Sequence, residues 1–158
     1  MEQGVHFLTD ILFAKFSLIR EIILSQKQLS IKVSGTSMEP TVFDGEKVVV
    51  EPIGEMPRLG DVLLFYDYNY QMVLHRIIEI RGNTITLCGD NAKSFDVIDR
   101  TRILGKMVYK ESKHNLDFTK TCQFYKKTLH DFVICAVINS GELIRIEVRR
   151  NNDGYMGH

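Results

Sequence analysis

Six short runs of β-favouring residues, separated by turns, occupy the stretch from Leu29 to Tyr109 and limit the folds open to this chain. The runs are rich in Val, Ile, Leu, Phe and Tyr, and the breaks between them supply Gly, Asp and Asn, as strands joined by turns require. The runs read LSIKV, KVVVEP, DVLLFY, MVLHRIIEI, TITLCG and ILGKMVY. We therefore predict a mainly β domain over residues 29–112.

The two ends of the chain differ from this centre. Between Phe7 and Leu24, apolar residues recur at intervals of three and four, which predicts an amphipathic helix in residues 1–28, packed on the domain. Residues 113–158 are predicted to form a partly helical C-terminal extension with a frayed end.

Composition narrows the possible functions. The 20 Lys and Arg residues balance 20 Asp and Glu residues, so no nucleic-acid partner is expected. Three widely spaced cysteines without a C-x-x-C motif indicate neither a zinc site nor a disulfide framework, and no cofactor is predicted. Phe7–Leu24 contains four charged residues, which a membrane-spanning helix would not tolerate. We therefore expect a soluble, cytoplasmic protein, and the sequence does not indicate its oligomeric state.

A serine lies in the segment GTSMEPTVFDGE, between flexible Gly35 and rigid Pro40. A catalytic serine must be held at a fixed angle near backbone N–H groups that can stabilise an oxyanion. Ser37 fits that requirement, although a serine in such a loop is more often structural. The choice depends on whether the chain supplies a base and an orienting acid.

His75 is the best candidate base. It lies in MVLHRIIEI, where strand alternation places it on one face with Val73 and Ile77, opposite Arg76. An imidazole titrates at about pH 6.5 and therefore suits proton transfer near neutrality, but a core histidine is the alternative. The remaining histidines are weaker candidates: His6, His114, His130 and His158.

Three acids that could orient His75 follow the run TITLCG in a segment read as a turn: Asp90, Asp96 and Asp99. Asp90 also fits simple turn chemistry, because it stands beside Gly and Asn. The residues themselves do not decide between Asp90 and Asp96.

Taken in order, GTSMEPT, FDGE, RLGDVLLFY, VLHRIIEI and TLCGDNAKSFD resemble the signal peptidase I superfamily over Val33 to Val108. The resemblance implies an antiparallel β fold with a shallow groove. Bacterial signal peptidases and the self-cleaving repressors of the SOS response use a lysine base where this chain has His75. A histidine there resembles the endoplasmic-reticulum type, which uses serine, histidine and aspartate.

By position, the resemblance implies that Ser37 is the nucleophile and His75 the base. The orienting acid of the endoplasmic-reticulum type lies six residues after the aspartate of G-D-N, which is Asp96 here. Asp90 is then expected to hold the turn and to contribute to the site. Met38 is expected to pack beside the nucleophile.

Two further features follow from the same resemblance. Gly35 occupies the place where many bacterial members carry a serine hydroxyl, so Thr36 or a backbone amide is expected to complete the oxyanion site. Gly60 and Asp61 match a structural turn.

The implied activity is that of a soluble serine endopeptidase that cleaves a peptide or protein substrate, for example the leader of a precursor peptide. The substrate would bind as an extended strand with small residues near the cut. It would pair with the run KVVVEP or with the segment before Ser37. The alternatives are a self-cleaving regulator and a catalytically inert, peptide-binding module.

Overall fold

The structure, a computed structural model, describes residues 2–54, 56–110, 122–129 and 132–150. In these residues one long helix accompanies a single ten-stranded sheet. The elements are α1 (Glu2–Gln26), β1 (Leu29–Lys32), β2 (Lys47–Glu51), β3 (Val62–Tyr66), β4 (Met72–Arg81), β5 (Thr84–Cys88), β6 (Phe95–Asp99), a short 3₁₀ turn (Arg100–Arg102), β7 (Ile103–Lys110), β8 (Cys122–Leu129), β9 (Phe132–Asn139) and β10 (Glu142–Arg150).

The strands lie in the order β6-β5-β4-β3-β7-β2-β1-β10-β9-β8. Neighbours are antiparallel except β1 and β10, which run parallel with Ser30 opposite Glu142. The mainly β prediction is confirmed, and the six predicted runs form β1 to β5 and β7. The strand β6 was not predicted, because its three apolar residues are interrupted by Asp96 and followed by Asp99 in a segment rich in turn formers.

The helical prediction for the C-terminal extension is wrong. Its described part forms β8, β9 and β10. The physical reason is the two-residue period of β9, in which Ile134, Ala136 and Ile138 are each 0% exposed and face the core together. The predicted frayed end, residues 151–158, lies outside the described residues, and the boundaries at residues 28 and 112 remain predictions.

Helix α1 packs on the sheet through one face. Ile19, Ile22 and Ile23 are almost fully buried and belong to a core cluster that includes residues of β1, β2, β3 and β9. Burial of each such side chain contributes about 1.5–3 kcal/mol. Within the described ranges, no helix combines the length and apolarity needed to cross a lipid bilayer.

A second, smaller core lies on the other side of β3, β4 and β5. Its buried residues include Leu63, Phe65, Ile77 and Leu87. Leu64 and Leu74 belong to the first core instead, so the side chains of β3 and β4 alternate between the two cores. This alternation decides which residues of β4 can reach the candidate site.

Candidate active site

Ser37 lies in the segment that joins β1 to β2. Gly35 adopts a φ of +95°, a conformation that favours glycine, and its N–H donates to Asp44 Oδ1 at 2.8 Å. After Ser37 the chain makes one helical turn, in which the N–H of Val42 donates to the carbonyl of Met38 at 2.9 Å. Met38 and Val42 are buried and anchor the half-buried Ser37 to the core. Met38 also lines the same cleft as Ser37, and its role beside the nucleophile stays a prediction of the resemblance.

His75 stands on β4, directly opposite Leu63 of β3. Its ring meets that of Phe65 edge to face, with 6.1 Å between centroids, and its side chain is 12% exposed. Val73 packs against the second core and Ile77 belongs to it. His75 therefore lies on the face expected from strand alternation.

Asp96 reaches the same face from β6. It lies opposite Leu87 of β5, which lies opposite Ile77 of β4, and directly opposed residues share a face. His75 Nδ1 lies 2.7 Å from Asp96 Oδ2, and His75 Nε2 lies 3.2 Å from Ser37 Oγ. A tautomer with the proton on Nδ1 donates to Asp96 and accepts from Ser37. The structure thus brings together the three residues chosen from the sequence.

Asp90 has different partners. Arg76 Nε and Nη2 donate to its two carboxylate oxygens, each at 2.8 Å, and the Thr41 hydroxyl donates to it as well. The hydrogen bonds from Arg76 lower the pKa of Asp90, and the bond to Asp90 raises the pKa of Arg76. Asp90 therefore joins the nucleophile segment to β4 through charge and hydrogen bonding.

The remaining candidate positions serve turns. The Asp99 side chain accepts from the N–H of Thr101, which lowers the pKa of Asp99. Gly60 adopts a φ of +90°, and Asp61 accepts from the N–H of Arg58. The side chains of the weaker histidine candidates all lie outside the described part of the structure: His6, His114, His130 and His158.

Gly89 and Asn91 of the GDN segment lie against the nucleophile, whereas the sequence predicts only a turn for them. A Cβ atom on Gly89 would lie 2.5 Å from the carbonyl oxygen of Ser37 and 3.0 Å from His75 Nε2. The N–H of Asn91 donates to the Ser37 carbonyl at 2.8 Å, and its side-chain Nδ2 donates to that of Thr36 at 3.1 Å. The sequence of this segment indicated a turn, but it could not indicate the contact with the nucleophile segment, which lies more than fifty residues away in the chain.

A cleft of about 380 Å³ opens beside Ser37 and His75. The end of β1 and the segment after it form one wall, and the beginning of β4 forms another. The lining residues are Ile31, Lys32, Val33, Ser34, Ser37, Met38, Val48, Leu64, Met72, Val73, Leu74 and His75. An extended peptide could enter between these walls, because among the described strands β10 pairs with β1 only at Ser30 and β5 pairs with β4 only from Arg76 onward.

One expectation about this cleft is wrong. The run KVVVEP was considered as a pairing edge for a substrate, but β2 is paired with β1 on one side and with β7 on the other. Its backbone groups are therefore used inside the sheet. The segment before Ser37 remains as the candidate edge.

No group of three or more His, Cys, Asp or Glu suited to a metal ion occurs among the described residues. The chemistry available here is that of a hydroxyl, an imidazole and a carboxylate in sequence, next to an open cleft. Such an arrangement can deprotonate the hydroxyl as it attacks an electrophile.

Comparison with known proteins agrees with the resemblance at the level of the superfamily. No match was found among the curated proteins. The sequence model of the family described as Peptidase S24-like matches residues 8–108, which include Ser37, His75 and Asp96. Because this match covers more than half of the chain, the chain belongs to the Peptidase S24-like family.

Proposed function

We propose that the protein is a serine endopeptidase with a Ser-His-Asp arrangement like that of the endoplasmic-reticulum type of signal peptidase. One observation carries the proposal: Ser37 Oγ, His75 and Asp96 form a continuous series of contacts at 3.2 and 2.7 Å beside the cleft. A histidine that served only the core would not need a serine hydroxyl at one ring nitrogen and a carboxylate at the other.

The mechanism follows from these contacts. Ser37 Oγ attacks the carbonyl carbon of the scissile bond while His75 Nε2 takes the hydroxyl proton. Asp96 accepts a hydrogen bond from the Nδ1–H of His75, and its carboxylate stabilises the imidazolium that forms. His75 then gives the proton to the departing amine, leaving an acyl group on Ser37. A water molecule, deprotonated by the same imidazole, hydrolyses this ester and restores the serine.

The tetrahedral intermediate needs donors for its oxyanion. We assign one donor to the backbone N–H of Ser37 and the second to the hydroxyl of Thr36. The N–H of Gly35 is already bonded to Asp44, so it is not available. Asn91 supports this assignment by fixing the carbonyls of Thr36 and Ser37.

The histidine base makes a deeply buried site unnecessary. A lysine must lose several pKa units through burial before it can accept a proton at neutral pH. An imidazole does not. The modest exposure of His75 and the openness of the cleft are consistent with this difference.

Backbone alternation supports binding of the substrate as a strand. The N–H of Val33 donates to the carbonyl of Glu46 and its carbonyl accepts from the N–H of Gly45, both on the β2 side of β1. The N–H of Ser30 donates on the opposite side, where β10 lies. Because the direction alternates along a strand, Lys32 and Ser34 direct their backbone groups away from β2. The neighbouring strand β10 pairs with β1 only at Ser30, so no described strand pairs with this edge at Lys32 and Ser34, where it faces the cleft.

The facing edge at the beginning of β4 also lacks a partner among the described strands. Ile77 exchanges backbone hydrogen bonds with Gly60 and Asp61 on the β3 side, so Met72 and Leu74 direct theirs to the opposite side. Pairing of β4 with β5 begins only at Arg76. A peptide strand can therefore pair with both edges, with small side chains next to Ser37. We propose the leader of a cytoplasmic precursor peptide as the kind of substrate.

Mass spectrometry of a diverse peptide pool, incubated with the protein and with its Ser37→Ala variant, tests the proposal. We expect cuts after small residues that disappear in the variant. Cuts that persist in the variant would point to a contaminating peptidase. Binding without cleavage would identify an inert peptide-binding module, and a change in the intact mass of the protein itself would identify a self-cleaving regulator.

A further inference from the structure

In the part of the chain that the structure describes, one lysine and no carboxylate line the cleft. Of the described residues that line it, Lys32 carries a positive charge and none is Asp or Glu. The side chain of Lys32 is exposed, and no ion pair joins it to a carboxylate in the described part of the chain. The cleft wall therefore presents an uncompensated ammonium group.

The residue opposite Lys32 on β2 makes its positive charge destabilising for the folded sheet. Lys32 lies directly opposite Lys47 of β2, and like charges in that position destabilise an antiparallel pair. Lys47 is compensated by Glu142, with 2.9 Å between Nζ and Oε2. Lys32 has no such compensation among the described residues, so the contacts seen there do not give it a role in stability.

A substrate strand would bring the missing negative charge. A peptide paired with the open edge at Lys32 and Ser34 places one of its residues opposite Lys32 and on the same face. We infer that the protein prefers substrates with Asp or Glu at this position, in the part of the peptide that lies in the cleft. This inference rests on the proposed function and specifies its substrate class.

The test uses peptides derived from a cut sequence, or from the pool if none is cut. Each position in the part of the peptide that would occupy the cleft carries Glu, Gln or Lys in turn. Binding to the Ser37→Ala variant is measured by fluorescence anisotropy, and cleavage by the parent protein is measured as kcat/KM. At one position, Glu should bind about two- to fivefold more tightly than Gln, as expected for a solvent-exposed ion pair. Added salt should reduce the difference.

Lys32→Glu should reverse the preference, so that Lys at that position binds better than Glu. This substitution places Glu opposite Lys47, so it should not lower the melting temperature. Arg81→Glu is the matched control, because it changes the charge equally at a side chain that is 82% exposed and does not line the cleft. The control should keep the preference for Glu.

The outcomes separate the inference from the proposed function. Cleavage with the same Glu-to-Gln ratio in the parent and in Lys32→Glu would overturn the inference and leave the peptidase intact. A preference in binding that depends on Lys32, without any cleavage, would support the inference and overturn the peptidase. Failure of every peptide to bind would overturn both.

Discussion

Two arms of the sheet are held by different kinds of interaction. In the site arm, β3 to β6, polar and directional contacts dominate around the candidate site: His75 with Asp96, and Arg76 with Asp90. In the C-terminal arm, β8 to β10, the inward side chains of β9 are fully buried in the first core, which also holds helix α1. The site arm therefore combines its own apolar core with directional contacts that fix atomic positions at the candidate site, whereas the inward face of β9 contributes apolar packing alone. Substitutions in the two arms should therefore have separable effects.

The largest effect is expected for Asp96→Asn. The amide keeps the shape of the side chain but favours the wrong tautomer of His75, so kcat should fall by about 10³–10⁴-fold. The melting temperature should change little. Steady-state kinetics on a cleaved peptide measure the loss, and Asp99→Asn is a control at a turn that does not touch His75. A greater loss in Asp90→Asn than in Asp96→Asn would contradict our assignment of the two acids.

In the C-terminal arm, Ile138→Ala should lower the free energy of unfolding by about 2–5 kcal/mol, because it leaves a cavity in the core. Urea denaturation measures this effect. Ile144→Ala removes a side chain that is 52% exposed and should cost less than about 0.5 kcal/mol. At a temperature where Ile138→Ala is folded, its kcat should equal that of the parent. A lower kcat there would show that the two arms are coupled.

Gly89→Ala tests the site arm by crowding instead of by charge. The added Cβ would press on the Ser37 carbonyl and on His75, and a displacement of about 1 Å can cost about 10²-fold in rate. The same substitution at Gly54 meets no atom within 4 Å and should leave kcat unchanged. Equal activity of both variants would mean that the segment after β5 can move away without harm.

The smallest effect concerns Asp90 and pH. Because Arg76 lowers the folded-state pKa of Asp90, the ionised carboxylate adds stability above its unfolded pKa of about 3.9, and this stability is lost as the pH falls through the lower, folded-state pKa. Asp90→Asn should cost about 1 kcal/mol or less near neutral pH. Below about pH 4, the melting temperature of the parent should fall more steeply than that of the variant. Parallel curves would show that this ion pair contributes nothing to stability.

In the site arm, β3, β4 and β5 could be predicted because their runs are rich in β-favouring residues and bounded by turn residues, whereas β6 could not. The choice between Asp90 and Asp96 could not be made from composition, since both lie in one short polar segment. Only the register of β5 against β6 places Asp96 on the face of His75. The resemblance to a family supplied the choice that local chemistry did not.

The C-terminal arm shows the opposite case. The alternation in FVICAVIN is a local signal for a strand, and it was present in the sequence although a helix was predicted. A local signal does not predict which strand pairs with which. Here β10 pairs with β1, which lies near the other end of the described chain. The contacts of Asn91 with the nucleophile segment are equally remote in sequence.

The position of β6 has a consequence for the response to temperature. This strand ends the sheet order and pairs with β5 alone among the described strands, and terminal strands open at a lower free energy than central ones. When β6 detaches, His75 loses its carboxylate partner and the second core loses Ile98, while Ser37 and the first core can stay in place. Warming would then reversibly inactivate a growing fraction of molecules. The catalytic rate would begin to fall at a lower temperature than the melting transition recorded by circular dichroism.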